Sequence, residues 1–330
     1  MTSWRSVRTR RLELRAITAA DIGSVYELNS DPRVWAHLPS GVHAAPSEVR
    51  ASAPRWCDGR GAGSDTLPFV KFDANVPNPA RMWNYWLGGK DNFAADREAA
   101  ERIIDAMPTM PQIAKWARRF LVDAVLQLVT VYGIRQFLDI GSGLPTADNT
   151  HEVAQRAAPE SRVVYVDHDP VVLNHAQALL TSSPAGKTDY IQADLRDAGT
   201  ILAEAARTLD FSQPVAILLI GVLHFIPDAE DPYAILRRVV DGVPSGSYLA
   251  IGHGASDIEP VAAAELTRRY NQASPVKIRL RSRDEVMPFF DGLEPAGRGL
   301  VPLSQWWDSG TAESDTASGL AGYVGIARKP

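Results

Sequence analysis

A single cysteine, Cys57, occurs in 330 residues, so no intrachain disulfide can form and a reducing, cytoplasmic setting is expected. Long apolar runs are also missing. The longest, residues 215–223, falls far short of the ~20 residues that span a bilayer, and Met1-Thr2-Ser3-Trp4-Arg5 leads into no signal-peptide core. Positive charge is not in excess: 34 Lys and Arg against 39 Asp and Glu leave a net charge of −5. That argues against non-specific attachment to nucleic acid or to an anionic membrane, both of which require a basic face. The arginines Arg5, Arg8, Arg10, Arg11 and Arg15 are a local exception and read as a solvated terminal face. There is no cysteine cluster, and His224, Asp228 and His253 are not at a tight ligand spacing, so no metal is expected.

What is present is a strand that runs directly into a glycine turn, Phe137-Leu138-Asp139-Ile140-Gly141-Ser142-Gly143. A strand-to-helix turn this tight favours a residue without Cβ, and bare backbone lets a cofactor approach closely. After the next helix, Arg162-Val163-Val164-Tyr165-Val166-Asp167 is an apolar strand ending in a carboxylate, placed to take both ribose hydroxyls of an adenosine. A dinucleotide fingerprint would need glycine at position 146, where the chain has Thr146 preceded by Pro145. Asp139 ahead of the glycines is placed to meet the ammonium of an amino-acid moiety. A third acid, Asp194, ends Asp189-Tyr190-Ile191-Gln192-Ala193-Asp194. Three carboxylates at successive strand ends favour S-adenosylmethionine over a nicotinamide dinucleotide, and no pyrophosphate then has to be cradled.

From about Phe72 to the C-terminus these residues resemble the bacterial S-adenosylmethionine-dependent methyltransferases first catalogued as a domain of unknown function, within the class I (Rossmann-like) methyltransferases. The likeness rests on the run from Pro79-Ala80-Arg81-Met82-Trp83-Asn84-Tyr85-Trp86 through Leu87-Gly88-Gly89-Lys90-Asp91-Asn92-Phe93, and on Asp139-Ile140-Gly141-Ser142-Gly143-Leu144-Pro145-Thr146. Further matches are Asn149-Thr150-His151-Glu152-Val153-Ala154, Val166-Asp167-His168-Asp169-Pro170 and Leu223-His224-Phe225-Ile226-Pro227-Asp228. The resemblance implies that Asp139, Gly141, Gly143, Asp167 and Asp194 hold S-adenosylmethionine, with S-adenosylhomocysteine as product. Their neighbours Ser142, His168 and Leu195, and Gly221 after the fourth strand, are assigned to the same cofactor site. The family supplies no substrate.

Residues 1–66 differ from the rest and end in the glycine-rich stretch 58–66, which reads as a linker. Arg11-Leu12-Glu13-Leu14-Arg15 alternates as a strand, and Thr18-Ala19-Ala20-Asp21 has capping-box spacing into a helix. This segment resembles the start of GNAT-type N-acetyltransferases but has no room for their central sheet, so it is read as a truncated accessory module without acyl transfer. In residues 67–330, strands alternate with helices, giving an α/β fold with a mostly parallel Rossmann-like sheet and an antiparallel C-terminal hairpin. Helices are expected over 96–107 and 111–132. Asn78-Pro79 opens a short aromatic-rich helix that stops at Gly88-Gly89. Within a helical lid spanning about 78–110, Tyr85, Lys90 and Asn92 are its polar candidates.

Methyl transfer from a sulfonium needs positioning and exclusion of water more than covalent help. A base is required only when the acceptor is a hydroxyl or a protonated nitrogen. His224 and His253 follow strands of the sheet where binding clefts lie, and with Tyr85 they are the catalytic candidates. His151 reads as a helix-start residue. Methyltransferases of exocyclic base nitrogens and glutamine amides resemble one another in an Asn/Asp-Pro-Pro-aromatic turn after the fourth strand. This chain replaces that turn with Leu223-His224-Phe225-Ile226-Pro227, which favours a small-molecule acceptor. The alternatives are a cofactor-binding regulator without catalysis, an NAD(P)-dependent oxidoreductase, and an acyltransferase using the N-terminal segment.

Overall fold

The computed structural model describes residues 73–330 apart from 170, 174, 175, 177–181 and 308–319, together with two short strands near the N-terminus. The chain divides into two compact units, Met1–Phe69 and Val70–Pro330. In the first, Val7–Arg8 and Glu13–Leu14 pair antiparallel with Val7 opposite Leu14. The rest of residues 1–66, on which the expected acetyltransferase likeness and the linker fall, lies outside the described residues.

The second unit is built on a seven-stranded sheet. Its strands are β1 (Gln136–Ile140), β2 (Arg162–Asp167), β3 (Lys187–Gln192), β4 (Ala216–Ile220), β5 (Tyr248–Gly254), β6 (Glu294–Pro302) and β7 (Gly322–Arg328), in the order β3-β2-β1-β4-β5-β7-β6. The first five are parallel, and β7 runs antiparallel between β5 and β6. The strand order, not the strand direction, reverses on either side of β1, so the ends of β1, β2 and β4 open onto one crevice where a ligand can enter.

Alternation along each strand divides the core into two layers. Phe137, Val163, Tyr165, Leu218 and Ala250 face one layer, and Leu138, Val164, Val166, Leu219 and Ile251 face the other. The first layer is covered by α1 (Pro79–Trp86), α2 (Ala94–Ile104), α3 (Met110–Thr130), α4 (Thr150–Ala157) and α7 (Pro260–Ala273). The second is covered by α5 (Ala198–Ala205) and α6 (Pro232–Asp241). α4 begins with a capping box in which Asn149 and Glu152 bond reciprocally. Ser282 and Glu285 form a second capping box, and the helix it opens, α8 (Arg283–Val286), is only four residues long before a 3₁₀ turn. α7 was not expected from the sequence pattern.

Candidate active site

β1 ends at Ile140 and the backbone turns at Gly141 with φ +73°. A Cβ there would lie 2.3 Å from Val222 Cγ2, so both conformation and space require glycine. The Gly141 N–H donates to the Val166 carbonyl at 2.7 Å, clamping the turn to β2. Asp139 and Asp167 are thereby brought to one cleft of about 1040 Å³, counted with the open solvent at its mouth. Gly141, Ser142, Gly143, His168 and Gly221 line it as well.

The two carboxylates are held differently. Asp139 is 6% exposed and its Oδ2 accepts from Thr150 Oγ1, at the start of α4, at 2.6 Å. Burial pushes its carboxyl up to about 6, opposed by the Thr150 hydrogen bond and the Arg118 guanidinium. Asp167 accepts from the Gly143 N–H through Oδ2 at 3.0 Å and from the Asp169 N–H through Oδ1 at 2.9 Å. Burial raises its pKa and those two donors oppose the rise. Each oxygen keeps a second lone pair for a ligand hydroxyl. His168 stands exposed at the rim, its Nδ1 3.5 Å from Asp167 Oδ1.

Other expected residues lie elsewhere. The Asp194 carboxylate caps the Arg196 N–H and pairs with the Arg196 guanidinium at 3.1 Å, so it serves its own turn and does not line the cleft. Leu195 is buried in the α5/α6 layer of the core. Tyr85 donates its hydroxyl to Glu101 of α2, away from the cleft, because two residues along a helix turn a side chain about 200°. Trp83 takes the cleft-facing position instead. Lys90 is exposed, and Asn92 closes the α1–α2 loop through Asn84 and Gly89. His151 is buried, its backbone N–H donating to the Tyr165 hydroxyl at 2.8 Å.

Three contributors were not read from the sequence. Arg118 of α3 lines the cleft, donates to the Ala147 carbonyl at 3.0 Å, and has a buried Nε without a partner. Its signal was an arginine inside the apolar stripe of Ala114, Leu121 and Val125. Asn78 both caps α1, accepting from Ala80 N at 2.8 Å, and donates through Nδ2 to Asp169 Oδ2 at 2.6 Å, tying the helix to the end of β2. Arg281, fully buried, has no such signal, since alternation with Ile278 and Leu280 points it outward.

A second cavity, about 800 Å³ including its open mouth, shares Pro79, Trp83, Ala117, Ile220, Gly221 and Phe225 with the first. Both histidine candidates line it, and among the described residues no charged side chain does. His253 is fully engaged: Arg281 Nη1 donates to its Nε2 at 3.1 Å, and Nδ1 bonds the Gly254 carbonyl at 2.9 Å. A guanidinium has no acceptor, so Nε2 must carry the lone pair and Nδ1 the proton. Arg281 also donates to the carbonyls of Leu223 and Ile226 and to Asp228. His224 lies at right angles to His253, ring centres 5.7 Å apart, and its Nδ1 is buried without a partner among the described residues. Burial, then His253 and Arg281, push His224 down to about 3, and burial pushes His253 down to about 4; both are neutral at pH 7.

This sheet order, with paired carboxylates beside a glycine turn, defines a Rossmann-like nucleoside-binding architecture of the class I methyltransferase type. The chain belongs to the S-adenosyl methyltransferase family, whose model matches residues 66–330. A DUF574-family protein of Streptomyces avermitilis is 42% identical, with 78% of this chain and 99% of that one covered and a TM-score of 0.75. A Thermobifida fusca protein provisionally described as a methyltransferase is 37% identical, with 80% and 99% covered and a TM-score of 0.71. No functionally curated protein matches the sequence. The protein is therefore an S-adenosylmethionine-dependent methyltransferase, with S-adenosylhomocysteine as product. The oxidoreductase, acyltransferase and non-catalytic readings, and the acetyltransferase likeness of residues 1–66, find no support in these comparisons. The residues present fit the cofactor: a cradle closed to any Cβ at Gly141, and two buried carboxylates with oxygen lone pairs toward one cleft.

Proposed function

We propose that the protein methylates a small-molecule acceptor, with the donor in the cleft between Asp139 and Asp167 and the acceptor in the adjoining cavity. The observation that carries this reading is the shared wall of Trp83, Gly221 and Phe225, which lets two ligands approach each other from separate rooms. Bound S-adenosylmethionine supplies an electrophilic methyl group on a sulfonium. Asp139, with Arg118 beside it, would hold the two charged ends of the amino-acid moiety, and Asp167 would take the ribose hydroxyls. Gly141 and Gly143 leave backbone open to close approach, with Ser142 and His168 at the edge. Trp83 on α1 narrows the opening and excludes water, so that part of residues 78–110 acts as the lid.

Among the described residues no helix is long and apolar enough to cross a membrane, and the single cysteine supports a cytoplasmic setting. The net charge of −5 supports an acceptor other than nucleic acid. Calorimetry of the full chain with S-adenosylhomocysteine, NAD and acetyl-CoA tests the reading. Only the first is expected to bind, and Asp167→Ala is expected to weaken it. Tight NAD or acetyl-CoA binding would overturn the assignment.

A further inference from the structure

The second cavity has a chemistry that narrows what can enter it. Its walls include Trp83, Trp86, Phe225 and Tyr270, with Met107 and Met110, a set that favours flat rings and adapts to their outline. Because no charged side chain of the described residues faces the space, an ion entering would lose its hydration without a partner among them. The buried guanidinium of Arg281 stands behind the lining residue His253, bonded to its Nε2 at 3.1 Å, and its positive field also opposes an ammonium. Against this apolar lining one polar group stands out: His224, whose Nδ1 has no hydrogen-bond partner among the described residues. The Tyr270 hydroxyl also lacks a partner at hydrogen-bonding geometry, although Ser274 is within electrostatic reach. A buried polar group left unpaired costs about 1–3 kcal/mol, so a ligand that satisfies it gains directly. His224 is also at the threshold between the rooms: a Cβ built on Gly221 lies 3.8 Å from His224 Cε1 and 3.9 Å from Trp83.

We propose that this chamber is the acceptor site and takes a neutral, apolar ring compound whose single hydroxyl is hydrogen-bonded by His224. The proposal rests on the two-room reading above. As the O–H bond breaks, its electron pair stays on oxygen and the proton passes to the lone-pair nitrogen of His224. Oxygen forms the new bond to the methyl carbon while the donor's C–S bond breaks with its electrons left on sulfur. A weakly basic imidazole is sufficient for this, because an oxygen that is gaining a methyl group becomes a far stronger acid than the imidazolium. His253 cannot take the same part, since its lone pair is already held by Arg281.

The test is calorimetry on the full chain saturated with S-adenosylhomocysteine, using 1-naphthol, naphthalene and 1-naphthoate as probes. 1-Naphthol should bind at least tenfold more tightly than 1-naphthoate. His224→Ala should weaken 1-naphthol about tenfold, the loss expected for one hydrogen bond, while naphthalene and S-adenosylhomocysteine stay within twofold. His224→Gln, which restores an acceptor, should recover part of the loss. Failure of the parent protein to bind S-adenosylhomocysteine would sink the two-room reading itself. Normal S-adenosylhomocysteine binding with 1-naphthoate held as tightly as 1-naphthol, or with 1-naphthol indifferent to His224→Ala, would overturn the acceptor class alone.

Discussion

In the donor cleft the charged groups face the ligand space directly: Asp139, Asp167 and Arg118 all line it. In the chamber next door the charge has been set one layer back, where Arg281 is held by His253, two carbonyls and Asp228. The difference matches what each room is proposed to bind. A zwitterionic amino-acid end and a ribose are recognised by charge and hydrogen bonds, whereas an apolar acceptor is recognised by shape and by one polar contact. Two carboxylates strained by burial on one side, and one unpaired imidazole on the other, are the costs the fold bears for that division.

Four changes probe the contrast, in descending size. Arg281→Met removes the anchor behind the chamber and strands His253 Nε2 and the carbonyls of Leu223 and Ile226. A loss of about 3–5 kcal/mol is expected, measured by denaturant unfolding. Asp139→Asn should act in the opposite direction on the apo protein. The folded chain binds this proton more tightly than the unfolded chain, with the carboxyl pushed from 3.8 to about 6. Ionisation therefore lowers stability progressively from about pH 4 to 6. The variant should be about 3 kcal/mol more stable than the parent at pH 8, with no difference below pH 4. A parent-minus-variant difference that is flat with pH would contradict the buried, ionised Asp139 described here.

Asp167→Ala would remove the two charge-assisted contacts to ribose proposed above, each worth about 1.5 kcal/mol. S-adenosylhomocysteine should bind about a hundredfold more weakly by calorimetry. At the bottom of the scale, Tyr85→Phe should leave binding unchanged and stability within about 0.5 kcal/mol, because its bond to Glu101 lies on an exposed face. A large fall in methyl transfer in that variant would return Tyr85 to the site.

The central strands β1, β2, β4 and β5 were legible because they are short apolar runs bounded by turn residues and separated by helical stretches. The sequence pattern did not announce α7, where small alanines and two adjacent arginines, Arg268 and Arg269, leave only Ala263, Leu266 and Tyr270 to mark its buried face. The strand-end acids were legible as positions, but a position does not say what a side chain turns toward. Asp194 sits two residues from Arg196 and is captured by it, a local competition that strand counting does not reveal. Tyr85 shows the same limit on a helix, where phase decides which of Trp83 and Tyr85 meets the cleft. Arg281 was concealed most thoroughly, since alternation assigns it to solvent and only the three-dimensional neighbourhood of His253 explains its burial.

The asparagine that begins α1 has a consequence for the order of events. Asn78 grips Asp169 at the end of β2 while the same helix carries Trp83 between the two rooms. With the helix acting as the proposed lid, loosening that contact would shift Trp83 in both rooms together. Under the two-room reading, the residence times of donor and acceptor would then both depend on this one contact.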